Sequence, residues 1–103
     1  MKIAIDFDGV ICKRKGVTMR DNNFESDKPV KGAAEAMHWL KAKGHDVYVL
    51  TARDKDDHFG VSMWLRRYGF PDLRVTNTKE PATIYLDDRA IRFTNWTDFC
   101  KLF

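Results

Sequence analysis

The sequence predicts an α/β fold in which a parallel sheet of about five strands carries helices on both faces. Three observations lead to this prediction. Short apolar runs rich in β-branched residues alternate with segments of helical periodicity. Glycines stand where the periodic segments end, and the elements follow the order strand, helix, strand, helix, strand, turn, strand. Sheets of this class bind ligands beyond the carboxyl ends of their strands, so the residues at those ends are the candidates for function.

The composition indicates one folded domain over residues 1–103. Hydrophobic residues make up 44% of the chain and aromatic residues 13%, which excludes a disordered protein. No run approaches the roughly 18 apolar residues of a membrane-spanning helix, and the N-terminus enters a strand directly, unlike a signal peptide. Two cysteines are too few for a disulfide framework, so we expect a cytoplasmic protein with no membrane partner. The net charge of +3 weakly favours anionic partners.

The first half of the chain predicts two strands, one helix and a long loop. The first strand is Lys2–Asp6, which is rich in isoleucine and ends in an acid. Residues 11–31 are polar and irregular, so we expect a loop there. A helix follows and ends at Gly44, because four apolar residues before that glycine have helical spacing: Ala33, Ala36, Met37 and Leu40. Asp46–Thr51 is β-branched and apolar and predicts the second strand.

The second half predicts another helix, three short strands and a last helical turn. Asp54 stands at the N-cap of a helix that ends at Gly69, with an apolar face made of Val61, Trp64, Leu65 and Tyr68. The three strands are Leu73–Thr76, Thr83–Asp87 and Ala90–Phe93. Asn95 is expected to cap a short helix that carries Trp96, Phe99 and Phe103. We expect all three tryptophans, Trp39, Trp64 and Trp96, in the core.

Charged and polar residues occupy the carboxyl ends of the predicted strands. They are Asp6 and Asp8 after the first strand, Thr51 after the second, Lys79 after the third, and Asp87 and Asp88 after the fourth. Two unit charges about 4 Å apart repel by about 4 kcal/mol at an effective dielectric constant near 20. Several carboxylates can therefore share one edge of the sheet only if some are protonated or a cation lies among them.

The type of ligand atom indicates which cation this would be. Carboxylate oxygens suit a hard ion such as Mg²⁺, which completes its shell with water and phosphate oxygens. No histidine or cysteine is placed to recruit zinc. The Lys79 ammonium and the Thr51 hydroxyl are natural contacts for a phosphoryl group. The pattern predicts phosphoryl transfer through an aspartyl phosphate.

These residues resemble the four motifs of the haloacid dehalogenase (HAD) superfamily of phosphotransferases. The motifs are the DFDGV run that begins at Asp6, the apolar strand that ends in Thr51, the later Lys79, and the Asp87-Asp88 pair. The resemblance covers about residues 1–93. Response-regulator receiver domains use similar residues, but their acidic pair precedes the phosphorylated aspartate, whereas here it comes last. The resemblance implies a Rossmann-like three-layer sandwich with strand order 3-2-1-4-5.

The resemblance also implies the roles of the acidic residues. Asp6 would be the nucleophile and a metal ligand. Asp8 would be the general acid and base, and its backbone carbonyl would bind the metal. Asp87 would bind the metal directly, and Asp88 directly or through water. The implied activity is Mg²⁺-dependent hydrolysis of phosphate monoesters.

The remaining implied roles concern the phosphate. Four residues would bind it, namely Thr51, Ala52, Arg53 and Lys79. The Arg53 guanidinium can grip a substrate phosphate, or it can pair with a neighbouring acid, either Asp54 or Asp88. A related hypothesis from a different class is a regulatory module that binds phosphate and does not turn it over.

The loop at residues 11–31 lies where many members of the family carry a cap domain, and it is too short for one, so the resemblance implies a capless member. An open site would accept a phosphorylated small molecule or a nucleic-acid end such as a 3′-phosphate, and a homo-oligomer could cover it. The loop carries six basic residues, Lys13, Arg14, Lys15, Arg20, Lys28 and Lys31, against three acidic ones. This excess suits nucleic acid, although a solvated charged loop gives the same pattern.

Overall fold

The alternation of apolar runs and periodic segments produces a mixed α/β fold, which a computed structural model describes for residues 1–13 and 27–103. Its elements in chain order are β1 (Lys2–Asp6), α1 (Ala33–Ala42), β2 (Asp46–Leu50), α2 (Lys55–Arg67), β3 (Val75–Thr76), β4 (Ile84–Leu86) and α3 (Trp96–Cys100). The four strands form one sheet in the order β3-β2-β1-β4, and every neighbouring pair is parallel. The strands therefore end at a common edge, as the sequence predicts.

The core lies on one face of this sheet. Register pairs Ile3 with Val47 and Ile5 with Val49, so alternate apolar residues of β1 and β2 project together. Four helix residues complete this cluster, Met37 from α1 and Val61, Trp64 and Leu65 from α2. Both crossovers step in the same direction across the sheet, and right-handed connections then place both helices on the same face.

The expectation of helices on both faces, and with it the three-layer sandwich, is wrong for the described part of the chain. The second face is crossed by the connection from β3 to β4, residues 77–83, which is too short for a crossover helix. The Tyr48 hydroxyl donates to the Glu80 carbonyl oxygen at 3.4 Å on this face. Arg74 and then Lys2 donate to the Glu80 carboxylate and lower its pKa to about 2. This exposed ion-pair network ties the connection to the sheet.

The predicted fifth strand is also wrong, because Ala90–Phe93 has no regular structure and all four residues are exposed. Its alternation is only four residues long, and β4 offers just three residues as a neighbour. Two of the tryptophans expected in the core are exposed, Trp39 by 59% and Trp96 by 70%, whereas Trp64 is buried. Trp39 lies on the outer side of α1, whose buried position is Met37.

The helix ends follow the sequence. Gly44 and Gly69 lie just beyond α1 and α2 in the left-handed region, with φ of 88° and 77°. The Asn95 side chain accepts a hydrogen bond of 2.8 Å from the backbone N–H of Asp98 and caps α3. No helix in the described ranges is long and apolar enough to cross a membrane.

Two backbone hydrogen bonds join the ends of the segment predicted as a long loop. The Lys13 N–H donates to Lys28 and the Val30 N–H donates to Ile11, each at 2.8 Å. The centre of that loop, residues 14–26, lies outside the described residues. The loop therefore leaves and re-enters the fold at one point, next to the end of β1.

Candidate metal and phosphate site

Three aspartates converge where β1 and β4 end. Asp6 is the last residue of β1, and Asp87 follows directly after β4, its parallel neighbour. One carboxylate oxygen from each of Asp6, Asp87 and Asp88 lies within 4.8 Å of the others. The topology explains the cluster, because the residues that follow two adjacent parallel strands lie next to each other at the carboxyl ends of those strands.

Burial and the neighbouring carboxylates change the acidity of Asp6. Burial is the main cause that raises the pKa of Asp6 to about 7, and the neighbouring charges of Asp87 and Asp88 raise it further. Asp87 and Asp88 are exposed, whereas Asp6 is partly buried. Without a cation, the cluster therefore holds Asp6 as a mixture of protonated and ionised forms near neutral pH.

Gly9 allows Asp88 to approach this cluster. Its φ of +88° lies in the left-handed region, and a Cβ atom at Gly9 would lie 2.8 Å from Asp88 Cγ. A side chain there would push the Asp88 carboxylate away from Asp6. Gly9 was not among the predicted site residues, although a glycine that follows the two acids at the end of a strand is the sequence signal for it.

The fourth predicted acid, Asp8, does not join the cluster. Its carboxylate accepts two hydrogen bonds from Arg53, from Nε at 3.0 Å and from Nη2 at 2.9 Å. Both side chains are buried, with 8% of Asp8 and 2% of Arg53 exposed. Arg53 was expected to grip a phosphate or to pair with Asp54 or Asp88, and its partner Asp8 was not among these alternatives.

The turn after β2 orients Arg53. The backbone N–H of Arg53 donates to the Thr51 hydroxyl oxygen at 3.2 Å, which closes the turn. A ring nitrogen of His58, in the first turns of α2, lies 3.0 Å from the Arg53 carbonyl oxygen. Thr51 is 2% exposed, so its hydroxyl serves the turn in this structure.

A cavity of about 280 Å³ opens on the second face of the sheet beside the acidic cluster. Asp6 and Asp87 line it together with Ala52, Asn77 and Tyr85. Asn77 follows directly after β3 and brings a side-chain amide to the cavity. The opening is large enough to accept a phosphate group next to Asp6.

Lys79 lies beside this cavity and does not line it. Its Nζ is 4.8 Å from the centroid of the Tyr85 ring, and the side chain is exposed. Tyr85 is itself held in place, because its hydroxyl donates to the Glu80 carbonyl oxygen and accepts from the Ala82 N–H. The predicted contact between Lys79 and a phosphate requires this side chain to leave the ring.

The basic residues of the predicted loop are only partly described. Lys13, Lys28 and Lys31 are exposed near its two ends. The other three, Arg14, Lys15 and Arg20, lie outside the described residues, as does the centre of any surface they form.

The acidic cluster fits a hard divalent cation. At about 2.1 Å from Mg²⁺, neighbouring octahedral ligands lie about 3.0 Å apart and opposite ones about 4.2 Å, so oxygens within 4.8 Å of one another can reach one ion by side-chain shifts of about 1 Å each. The donors are carboxylate oxygens, and neither histidine nor cysteine takes part in the cluster among the described residues. Asp6, Asp87 and Asp88 are therefore the residues that would hold the ion.

Comparisons with known proteins do not assign this site. No family model matches the chain, and neither a curated protein sequence nor a solved structure matches it significantly. The function must therefore be argued from the arrangement of these side chains.

Proposed function

We propose that this protein is a Mg²⁺-dependent phosphohydrolase of the HAD type, which cleaves phosphate monoesters through an aspartyl phosphate on Asp6. The convergence of Asp6, Asp87 and Asp88 at the ends of adjacent parallel strands carries the proposal. The sheet order β3-β2-β1-β4 also agrees with the first four strands of the order that the resemblance implies. A bound Mg²⁺ would neutralise charge on Asp6 and on the oxygens of the phosphate.

In the first step, a carboxylate oxygen of Asp6 attacks phosphorus and the P–O bond of the ester breaks. The electron pair of that bond goes to the leaving oxygen, and Asp8 supplies its proton. In the second step, water attacks the same phosphorus and gives a proton to Asp8. The bond between Asp6 and phosphorus breaks, which releases inorganic phosphate and restores the Asp6 carboxylate.

Arg53 would exchange its partner Asp8 for the phosphate when substrate binds. Asp8 must separate from the guanidinium and take up a proton from water before it can protonate a leaving group, because Arg53 donates to both of its carboxylate oxygens. The separation frees the planar Arg53 guanidinium, which can donate to two phosphate oxygens at once. Lys79 and the Thr51 hydroxyl would add contacts to the same group. Substrate binding and release of Asp8 would then occur together.

A second candidate is a phosphate-binding module that does not turn over. Two observations favour it, namely the buried pair between Asp8 and Arg53 and the position of Lys79 over Tyr85. Both keep predicted catalytic groups away from the acidic cluster. Tight binding of beryllium fluoride with Mg²⁺, without hydrolysis across nucleotides, sugar phosphates and 3′-phosphorylated oligonucleotides, would favour this module.

Hydrolysis of an aryl phosphate tests the proposal. We expect activity that requires Mg²⁺ and falls by more than about a hundredfold in Asp6→Asn, since that variant loses the nucleophile. Asp46→Asn is the matched control, because Asp46 is an exposed aspartate at the start of β2, at the opposite edge of the sheet. Full activity in Asp6→Asn, or equal loss in both variants, would refute the mechanism.

A further inference from the structure

The cavity beside the acidic cluster lies where β1 carries its smallest side chain. Ala4 pairs in register with Tyr48 of β2 and with Tyr85 of β4, so all three side chains project to the second face of the sheet. Alanine is not a typical strand residue, and both neighbours of Ala4 along β1 are isoleucines. The small side chain leaves room beside the Tyr85 ring, and both residues line the cavity together with Asp6.

The wall of this cavity is mostly apolar and includes one aromatic ring. Leu50 and Ala52 contribute aliphatic surface, and Tyr85 contributes its ring. The Tyr85 hydroxyl already donates to the Glu80 carbonyl oxygen and accepts from the Ala82 N–H. The ring therefore offers a ligand a packing surface, while its hydroxyl is already engaged within the protein.

Few polar groups remain for a ligand in this cavity. The Asn77 side-chain amide is one, and the Asp6 and Asp87 carboxylates belong to the acidic cluster. No lining residue within the described part of the chain carries a positive charge. A bound group with several hydroxyls would lose hydrogen bonds to water here, and an anionic group would be repelled by the carboxylates. An uncharged and largely apolar group suits these surroundings best.

The size and position of the cavity fit one ring attached to a phosphate. Pockets for drug-sized ligands have volumes of about 300–1,000 Å³, and this one is at the lower end with about 280 Å³. A phosphate at Asp6 and Asp87 leaves the rest of the space to the group esterified to it. Ala52 in the wall directly precedes Arg53, the partner of the proposed general acid Asp8. The cavity therefore adjoins both the proposed nucleophile and the turn that holds the proton donor.

We propose that this cavity binds the leaving group of the phosphate ester, and that the preferred substrate is the monoester of a phenol or of an uncharged aromatic alcohol. The substrate ring packs against Tyr85 and Leu50, while the phosphate lies at the acidic cluster. This inference rests on the proposed phosphohydrolase function and adds its substrate class.

Calorimetric binding of phosphonates with Mg²⁺ tests the cavity without turnover, because carbon replaces the ester oxygen in these compounds. Benzylphosphonate carries the ring, methylphosphonate lacks it, and phosphonopropionate carries a carboxylate in its place. We expect benzylphosphonate to bind the wild type at least about tenfold more tightly than the other two, since the packed ring adds affinity. A nuclear Overhauser effect between the benzyl ring protons and the Leu50 methyl groups should locate the ring without any substitution.

Tyr85→Leu and Tyr85→Phe form a matched pair, because the phenylalanine keeps the ring and loses only the hydroxyl. The preference for benzylphosphonate should fall below about threefold in Tyr85→Leu and persist in Tyr85→Phe. Equal affinity of the wild type for benzylphosphonate and methylphosphonate would overturn the proposal. Tighter binding of phosphonopropionate, or equal loss of the preference in the two variants, would also overturn it.

Hydrolysis of benzyl phosphate, measured in parallel, separates this result from the proposed function. Hydrolysis without a preference for benzylphosphonate would leave the phosphohydrolase standing and refute the role of the cavity. A preference for benzylphosphonate without hydrolysis would support the ligand class and overturn the phosphohydrolase. Absence of binding by all three phosphonates, together with absence of hydrolysis, would overturn both.

Discussion

Asp6 lies at the most crowded position of the candidate site, partly buried and facing two further carboxylates. The raised pKa of Asp6 shows that ionising this carboxyl group beside Asp87 and Asp88 is unfavourable unless a cation binds among them. Residues at strand ends were predictable from the sequence, because the end of an apolar run is visible in it. The pairing of Asp8 with Arg53 was not, since it depends on where two side chains point after their strands have paired.

The first residue-scale prediction concerns pH. The pKa of Asp6 rises from 3.8 to about 7 on folding. The protonated Asp6 side chain therefore adds to the free energy of unfolding below about pH 4, and this contribution is lost as the pH rises through 7. Mg²⁺ needs the ionised carboxylate, so its affinity should fall by about tenfold per pH unit below 7. Calorimetric Mg²⁺ titrations between about pH 5 and pH 9 measure this. An affinity that is flat across this range, or a slope unchanged in Asp6→Asn, would contradict the assignment.

Gly9 and Gly44 have the same φ of +88°, so alanine substitutions at these two positions can be compared directly. Alanine at either position strains the backbone by about 1–2 kcal/mol, so both variants should melt earlier than the wild type. Only Gly9→Ala pushes on Asp88, because no atom of the described residues lies within 4 Å of a Cβ at Gly44. Mg²⁺ binding should weaken by about tenfold or more in Gly9→Ala and stay unchanged in Gly44→Ala. Equal binding in the two variants would separate Asp88 from the metal site.

At the scale of elements, hydrophobic periodicity predicted the two long helices and four strands, because each buries a face that the sequence displays. It failed for Ala90–Phe93, where alternating residues find too short a neighbour in β4. It also failed for the second face of the sheet. The sequence itself predicts only a turn between the third and fourth strands, and that connection, residues 77–83, is too short to place a helix on the second face.

The buried pair between Asp8 and Arg53 joins the ends of β1 and β2 and yields the element-scale prediction. Arg53→Met should lower the free energy of unfolding by about 3–5 kcal/mol, because it leaves a buried carboxylate without this partner. A double-mutant cycle with Asp8→Asn should give a coupling of about 2 kcal/mol in urea unfolding.

The exposed pair of Arg74 and Glu80 provides the control cycle for this measurement. Solvent screens that pair, so its coupling should be clearly smaller. Equal coupling in the two cycles would show that the buried pair does not hold the strand ends together.

At the scale of the whole molecule, charge is separated between the site and the rest of the chain. Apart from the three clustered acids, Asp6, Asp87 and Asp88, the chain has eighteen basic and twelve acidic residues. A modest net charge of +3 thus combines a local acidic cluster with a basic remainder, which favours the approach of anionic ligands. The sequence alone could not show that Trp96 and Phe103 are exposed, because the aromatic residues of α3 have the spacing of a buried helix.

The central claim is that Asp6 accepts the phosphoryl group. The most direct measurement is acid quenching of the protein with Mg²⁺ and radiolabelled acetyl phosphate, followed by peptide mapping. We predict an acid-stable, alkali-labile label on the peptide that contains Asp6, dependent on Mg²⁺ and absent from Asp6→Asn. Label on another residue, or release of phosphate at the wild-type rate by Asp6→Asn, would contradict the account.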